Sequence, residues 1–201
     1  MAEGAKTLRR RQDRLAATGP SKGTDHTDAT MRCIILCADG VEDSELQVPF
    51  ERLQEAGLEP ELAGSEAGQT VTGKQGGTWT TDVAVADIDA ASVGMLVIPG
   101  GHAPDKMRLH DGFVDLARAC MQGDGYVAAI CHGPQLLIEA DVVRGRRMTS
   151  WPSVHTDLRD AGGDVVDEDV VVDGRLITSR KPDDLPAFCH AILERVQTAT
   201  H

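Results

Sequence analysis

The sequence predicts an α/β domain with a mostly parallel sheet covered by helices on both faces. Three observations carry this. Short, continuously apolar runs such as Met95-Leu96-Val97-Ile98 alternate with longer segments of helical periodicity, and strands that lack polar alternation are buried on both faces. Three of those runs end in corners that can converge: Ala38-Asp39-Gly40, Pro99-Gly100-Gly101 and Cys131-His132. In open α/β sheets, sites gather beyond the carboxyl ends of the strands. The chain has 201 residues, 41% of them hydrophobic, enough for one domain with a sizeable core.

Taken in order, residues 32–38 read as a buried strand. Residues 44–56 read as an amphipathic helix with Leu46, Phe50 and Leu53 on one face and Gly57 as its stop. A second strand follows at 59–63. The Thr/Val segments of 70–85, broken by Gly73, Gly76 and Gly77, read as a hairpin-type excursion. Residues 95–98 form a central strand, 113–121 a helix, and 126–130 the strand that feeds Cys131. A further helix ends near Ala161 at Gly162-Gly163. Val170 to Thr178 reads as a hairpin, with Asp173-Gly174 supplying the positive φ angles of a tight turn. A last helix spans about 184–196. Aromatics make up only 3%, so the core rests on Val, Leu, Ile and Ala.

Two regions divide the chain. Residues 1–30 carry six Lys/Arg against four Asp/Glu and include Arg9-Arg10-Arg11 and a linker-like stretch at 18–25. They read as a basic, flexible extension, or as an arm that lies on an acidic neighbouring subunit. Residues 31–201 form the folded domain. The net charge of −12 excludes a nucleic-acid-binding body. No apolar run reaches the length of a membrane span, and no secretory pattern follows the basic cluster. Five cysteines without framework spacing point to a reducing, cytoplasmic setting.

Cys131 is the candidate nucleophile. It follows a buried strand and turns at once into Gly133-Pro134-Gln135-Leu136-Leu137, a strand-to-helix corner that exposes a side chain on tightly held backbone. The positive end of the following helix is expected to favour the thiolate. Cys33, Cys37, Cys120 and Cys189 read as core packing. Glu42, after the first strand, either touches the thiol or, with Asp43 and Glu45, complements the dipole of the helix it begins. The amides of Gly100 or Gly101 and of His132 could face a developing oxyanion. His132 would act as the base only if the corner is sharp enough to bring its ring back to its neighbour's sulfur.

These residues resemble a known family. Ala129-Ile130-Cys131-His132-Gly133-Pro134, with Val97-Ile98-Pro99-Gly100-Gly101 and Asp39-Gly40-Val41-Glu42-Asp43-Ser44-Glu45-Leu46, looks like the ThiJ/PfpI family, in its PfpI-type intracellular protease branch. The resemblance extends over about residues 31–196. It implies a flavodoxin-like three-layer sandwich, assembled as a homodimer or hexamer and working without cofactor or metal. Cys131 would be the nucleophile, Glu42 the buried carboxyl at its sulfur, and Gly101 and His132 the oxyanion donors. His132 would pair with Asp105 of a neighbouring subunit, and Gly100, Glu45 and Trp151 would line the pocket. Two positions depart from the family pattern. Asp105 is shorter than the Glu often found there, and Trp151 replaces a common tyrosine. The implied activity is stress-response chemistry on small carbonyls or glycated protein, glyoxalase- or deglycase-like. The alternatives are an intracellular cysteine peptidase and a redox-sensing protein whose Cys131 is oxidised to sulfinic acid.

Overall fold

The computed structural model describes residues 31–199. The basic segment 1–30, with the expectations attached to it, lies outside the described residues. In chain order the elements are β1 (Cys33–Leu36), α1 (Asp43–Glu55), β2 (Glu61–Gly64), β3 (Thr70–Thr72), β4 (Thr78–Thr80), β5 (Val83–Ala84), β6 (Met95–Ile98), α2 (Ala103–Met107), α3 (Asp111–Gln122), β7 (Tyr126–Ile130), α4 (Pro134–Glu139), β8 (Arg147–Met148), α5 (His155–Asp160), β9 (Asp164–Val165), β10 (Val170–Asp173), β11 (Leu176–Ser179) and α6 (Leu185–Ala199).

Seven strands form the main sheet in the order β10-β11-β7-β6-β1-β2-β5. Every neighbouring pair is parallel except β10 with β11. Strands β1, β2, β6, β7 and β11 thus stand in the spatial order second, first, third, fourth, fifth. This is the flavodoxin-like winding, in which the order of strand addition reverses between the parallel neighbours β1 and β6. Helices α1 and α6 pack together on one side, while α3 packs on α4 and α4 on α5. With both faces covered, Ile34, Ile35, Leu36, Leu96, Ile98 and Ile130 are fully buried, as the unbroken apolar runs require. Among the described residues no helix is long and apolar enough to cross a membrane.

Four details differ from the sequence reading. On α1 the buried face is Glu45, Leu46, Pro49 and Leu53, while Phe50 is half-buried. The stripe is turned by one residue, which carries a carboxylate inward. Pro49 has no N–H to offer the carbonyl of Glu45 four residues back. Residues 103–107, read as loop, form α2. A short parallel pair, β8 with β9, lies beside β10. In the β10–β11 hairpin the two turn residues are Gly174 and Arg175, because Asp173 pairs with Leu176. Gly174 alone takes a positive φ, +60°, and the Asp173 carboxylate instead accepts the Arg147 N–H.

Phe188 of α6 is among the largest fully buried side chains. Phe188→Ala should lower unfolding stability by about 3–5 kcal/mol, read as a drop in the urea midpoint at unchanged m-value.

Candidate active site

Cys131 caps β7 with φ +60°, one of two non-glycine residues in the left-handed region among those described. Such a conformation costs on the order of 1–3 kcal/mol and persists only when its surroundings over-determine it. Here both backbone groups are held: the Cys131 N–H donates to Ser179 O at 3.0 Å, and the Trp151 N–H donates to Cys131 O at 2.9 Å. A Cβ on Gly133 would collide with Ile98 O, so only glycine lets the chain leave the corner this close to β6. The thiol ends 6% exposed. It lines a cavity of about 490 Å3 shared with Glu42, Glu45, Lys74, Gln75, Gly101, His102, His132, Trp151 and Pro182. The three loops expected to converge do converge, at the reversal point beside β1 and β6.

The carboxyl that meets the sulfur is Glu45; the expectation for Glu42 is corrected. Glu45 lies one turn into α1, on the face turned to the sheet, and is fully buried. Its Oε2 accepts the Gly100 N–H at 2.8 Å. Its Oε1 has no well-aligned donor, and the carboxyl's remaining interaction is with the Cys131 thiol. Burial pushes Glu45 up to about 7. Glu42, at the N-cap of α1, turns to the β3–β4 hairpin, where its Oε2 lies 3.4 Å from Lys74 Nζ. It remains on the cavity wall.

The expected thiolate-favouring setting is also corrected. Burial, followed by the Glu45 carboxylate, pushes Cys131 up to about 12, while the amides of Gly101 and His132 oppose that rise. Helix α4 has only six residues, and its end field does not outweigh desolvation. Near neutrality the thiol therefore keeps its proton and the Glu45 carboxyl is the group that titrates. A thiolate forms only when the thiol proton moves to a neighbouring base. The Gly101 and His132 amides are the donors aimed at the sulfur. The Gly100 amide is taken by Glu45, and a Cβ on Gly100 would land 2.8 Å from Cys131 Cβ.

The sharp corner brings His132 back to its neighbour: Nδ1 lies 3.3 Å from Cys131 Sγ. Burial, then His102 and Lys74, lowers the His132 pKa, so the ring is neutral at pH 7 and able to accept a proton. Its Nε2 lies 3.4 Å from Ser153 Oγ, and the ring stacks on Trp151 at 6.1 Å between centroids and 26° between planes. Asp105 stays exposed on α2 and does not line the cavity, so within the chain it is not brought to His132. Sequence reasoning missed Lys74, Gln75, Ser153 and Pro182. The signal for the first two was the glycine-flanked Gly73-Lys74-Gln75-Gly76 tip. Among the described residues no group of three or more His, Cys, Asp or Glu is arranged to hold a metal ion.

Fold and corner together define a doubly wound α/β protein with a buried cysteine at a strained strand-to-helix corner. The chain belongs to the DJ-1/PfpI family, whose model matches residues 31–195. It is 46% identical over 158 residues to a deglycase of Pyrococcus abyssi, covering 79% of this chain and 95% of that protein. It is 46% identical over 149 residues to general stress protein 18 of Bacillus subtilis, covering 73% and 87%. A crystal structure from Anabaena variabilis, which joins a DJ-1/ThiJ/PfpI-like domain to a ferritin-like domain, superposes with a TM-score of 0.82 at 41% identity, over 83% of this chain and 48% of that one.

The burial of Glu45 sets a pH dependence. Its folded pKa of about 7 lies above the unfolded value near 4.5, so the folded state binds more protons between the two. Its contribution is fully present below about 4.5 and is lost as pH rises through about 7. Across that window the loss amounts to about 3 kcal/mol. Glu45→Gln keeps an acceptor for Gly100 and removes the titration. The variant should be more stable than wild type at pH 8 and should show a flatter profile from pH 4.5 to 7.5, measured by urea denaturation.

Proposed function

We propose that this protein is a stress-response enzyme in which Cys131 attacks reactive carbonyls or glycated adducts, with glyoxalase- or deglycase-like outcome. The observation that carries this reading is the sulfur's setting: a strained, pocket-facing thiol with a carboxyl of pKa about 7 on one side and two backbone amides on the other. The names of the relatives, deglycase and stress protein, support it.

The steps follow from the geometry. The thiol proton passes to the Glu45 carboxylate or to His132 Nδ1, and Sγ forms a bond to the aldehyde carbon. The carbonyl oxygen, held by the Gly101 and His132 amides, takes the proton back, leaving a hemithioacetal. For a 2-oxoaldehyde, neutral His132 then moves a proton from the first carbon to the second through an enediol, giving a thioester. Water cleaves the S–C bond, releases the 2-hydroxy acid and restores the thiol. No step draws on a cofactor or metal. The cavity, at about 490 Å3, suits a small carbonyl compound or the modified end of a protein side chain. The reading places the protein in the cytoplasm, where such adducts arise, as a self-associating assembly.

Cys131→Ala should abolish methylglyoxal consumption and release of free side chains from methylglyoxal-treated protein, while leaving the urea midpoint near the wild-type value. Full activity in that variant would sink the proposal. Steady-state cleavage of fluorogenic peptides, lost in Cys131→Ser and not accompanied by carbonyl turnover, would decide for a peptidase instead.

A further inference from the structure

We infer that His102 is a second acid–base residue of this cavity, the group that moves protons between the two oxygens of the enediol while His132 moves the carbon-bound proton. The inference rests on the proposed reaction and fills a gap in it. Turning the hemithioacetal of a 2-oxoaldehyde into a thioester moves one proton from the first carbon to the second. It also requires the second oxygen to gain a proton and the first to lose one. The ring beside the sulfur does not serve both transfers, because it holds the carbon-bound proton while the oxygens exchange theirs.

His102 follows Gly101, whose amide faces the sulfur, and lines the same cavity as Cys131 and His132. Its backbone is held in place. The His102 N–H donates to Gly40 O at 2.7 Å, and a Cβ on Gly40 would stand 3.0 Å from His102 Cβ. Its ring takes no part in capping the helix that follows. His110, which precedes α3 in the same way, accepts the Gly112 N–H with its ring, whereas His102 at the N-cap of α2 makes no such bond. The two imidazoles of the cavity stand in different surroundings. His132 is half-buried, and burial, followed by the charge of His102, lowers its pKa; His102 is exposed. Surroundings that separate two titratable groups in this way divide them into base and acid. Lys74, also on the wall, is paired with Glu42 at 3.4 Å.

The protons balance. His132 takes the proton of the first carbon, the C–H electrons form the C–C double bond, and the second carbonyl oxygen takes a proton from the His102 imidazolium. Neutral His102 then takes the proton of the first oxygen, whose electrons restore a carbonyl there. The electrons of the C–C double bond meanwhile take the proton held by His132 onto the second carbon. Both rings end as they began, and the product is the thioester that water cleaves.

The test uses the full chain in its assembled form, methylglyoxal labelled with 13C at the aldehyde carbon, and three proteins: wild type, His102→Gln and His102→Ala. Carbon spectra follow the hemithioacetal and the 2-hydroxy acid, and iodoacetamide alkylation of Cys131 checks that the corner is intact. His102→Gln keeps an N–H donor but cannot hand over its proton. It should lower turnover by about 10²- to 10⁴-fold, the range for one acid–base group, while the hemithioacetal accumulates and Cys131 still alkylates. Imidazole added to His102→Ala should restore part of the turnover. Turnover in His102→Gln equal to that of wild type would overturn the assignment. So would loss of the hemithioacetal together with turnover and without rescue by imidazole, because His102 would then only shape or bind. A wild-type protein that forms the hemithioacetal and releases no 2-hydroxy acid would refute the proposed reaction itself, and this assignment with it.

Discussion

Burying the Glu45 carboxyl against the Cys131 thiol is the constraint on which the rest of the site depends. Burial raises both acids, the Glu45 carboxylate raises the thiol further, and the thiol's hydrogen bond to Glu45 works against the rise of the carboxyl. The structure offsets the burial sparingly. One amide, that of Gly100, donates to the carboxylate, and no cation sits at Oε1. A better-solvated carboxylate would stay ionised at neutral pH and would only repel a thiolate. An environment this dry keeps the carboxyl near the pH at which it can give a proton or take one.

The same constraint explains the geometry of the corner. Gly100 must lack a Cβ because Glu45 Oε2, Cys131 Cβ and the His132 amide all come within 2.8 Å of where it would stand. Gly101, at φ +76°, is pressed against the backbone of Gly40 and Glu42, so the two loops beyond β1 and β6 are locked together. The β3–β4 hairpin is tied to the same place. Asp43 accepts the amides of Gln75 and Gly77, Gly40 donates to Thr72 O, and Trp79 donates to Gln47 of α1. Lys74 and Gln75 therefore stand on a rigid wall of the cavity. That rigidity holds the groups lining the cavity in place.

Much of this was legible in the chain. The central strands at 95–98 and 126–130 come out at the residues expected, because unbroken apolar runs have no other use in a sheet covered on both faces. The strand-to-helix corner at Cys131, the stop at Gly57 and the hairpin at 70–80 were equally readable from turn chemistry, whereas Val83–Ala84, read as part of that excursion, pair in parallel with β2 at the edge of the main sheet. The choice between Glu42 and Glu45 was not legible. Glu42 is the N-cap of α1 and Glu45 lies in its first turn, and their separation of three residues sets them within one turn of each other. Which one goes inward depends on how α1 is rotated against the sheet, and Phe50, the residue that would have signalled the rotation, is itself only half-buried.

Ser153 shows the same limit from another side. Twenty-one residues separate it from His132, and nothing in a Trp-Pro-Ser turn marks it as an imidazole partner. Local pattern and turn chemistry, which act over a few neighbouring residues, determined the central strands and main helices, the α/β class and the cysteine at its corner. The burial of Glu45, the return of the His132 ring to the sulfur and the Ser153 contact were decided only by tertiary structure. Each depends on how separate elements are rotated and seated against one another, and desolvation, the term that sets the chemistry of the pair, exists only once those elements have closed around it.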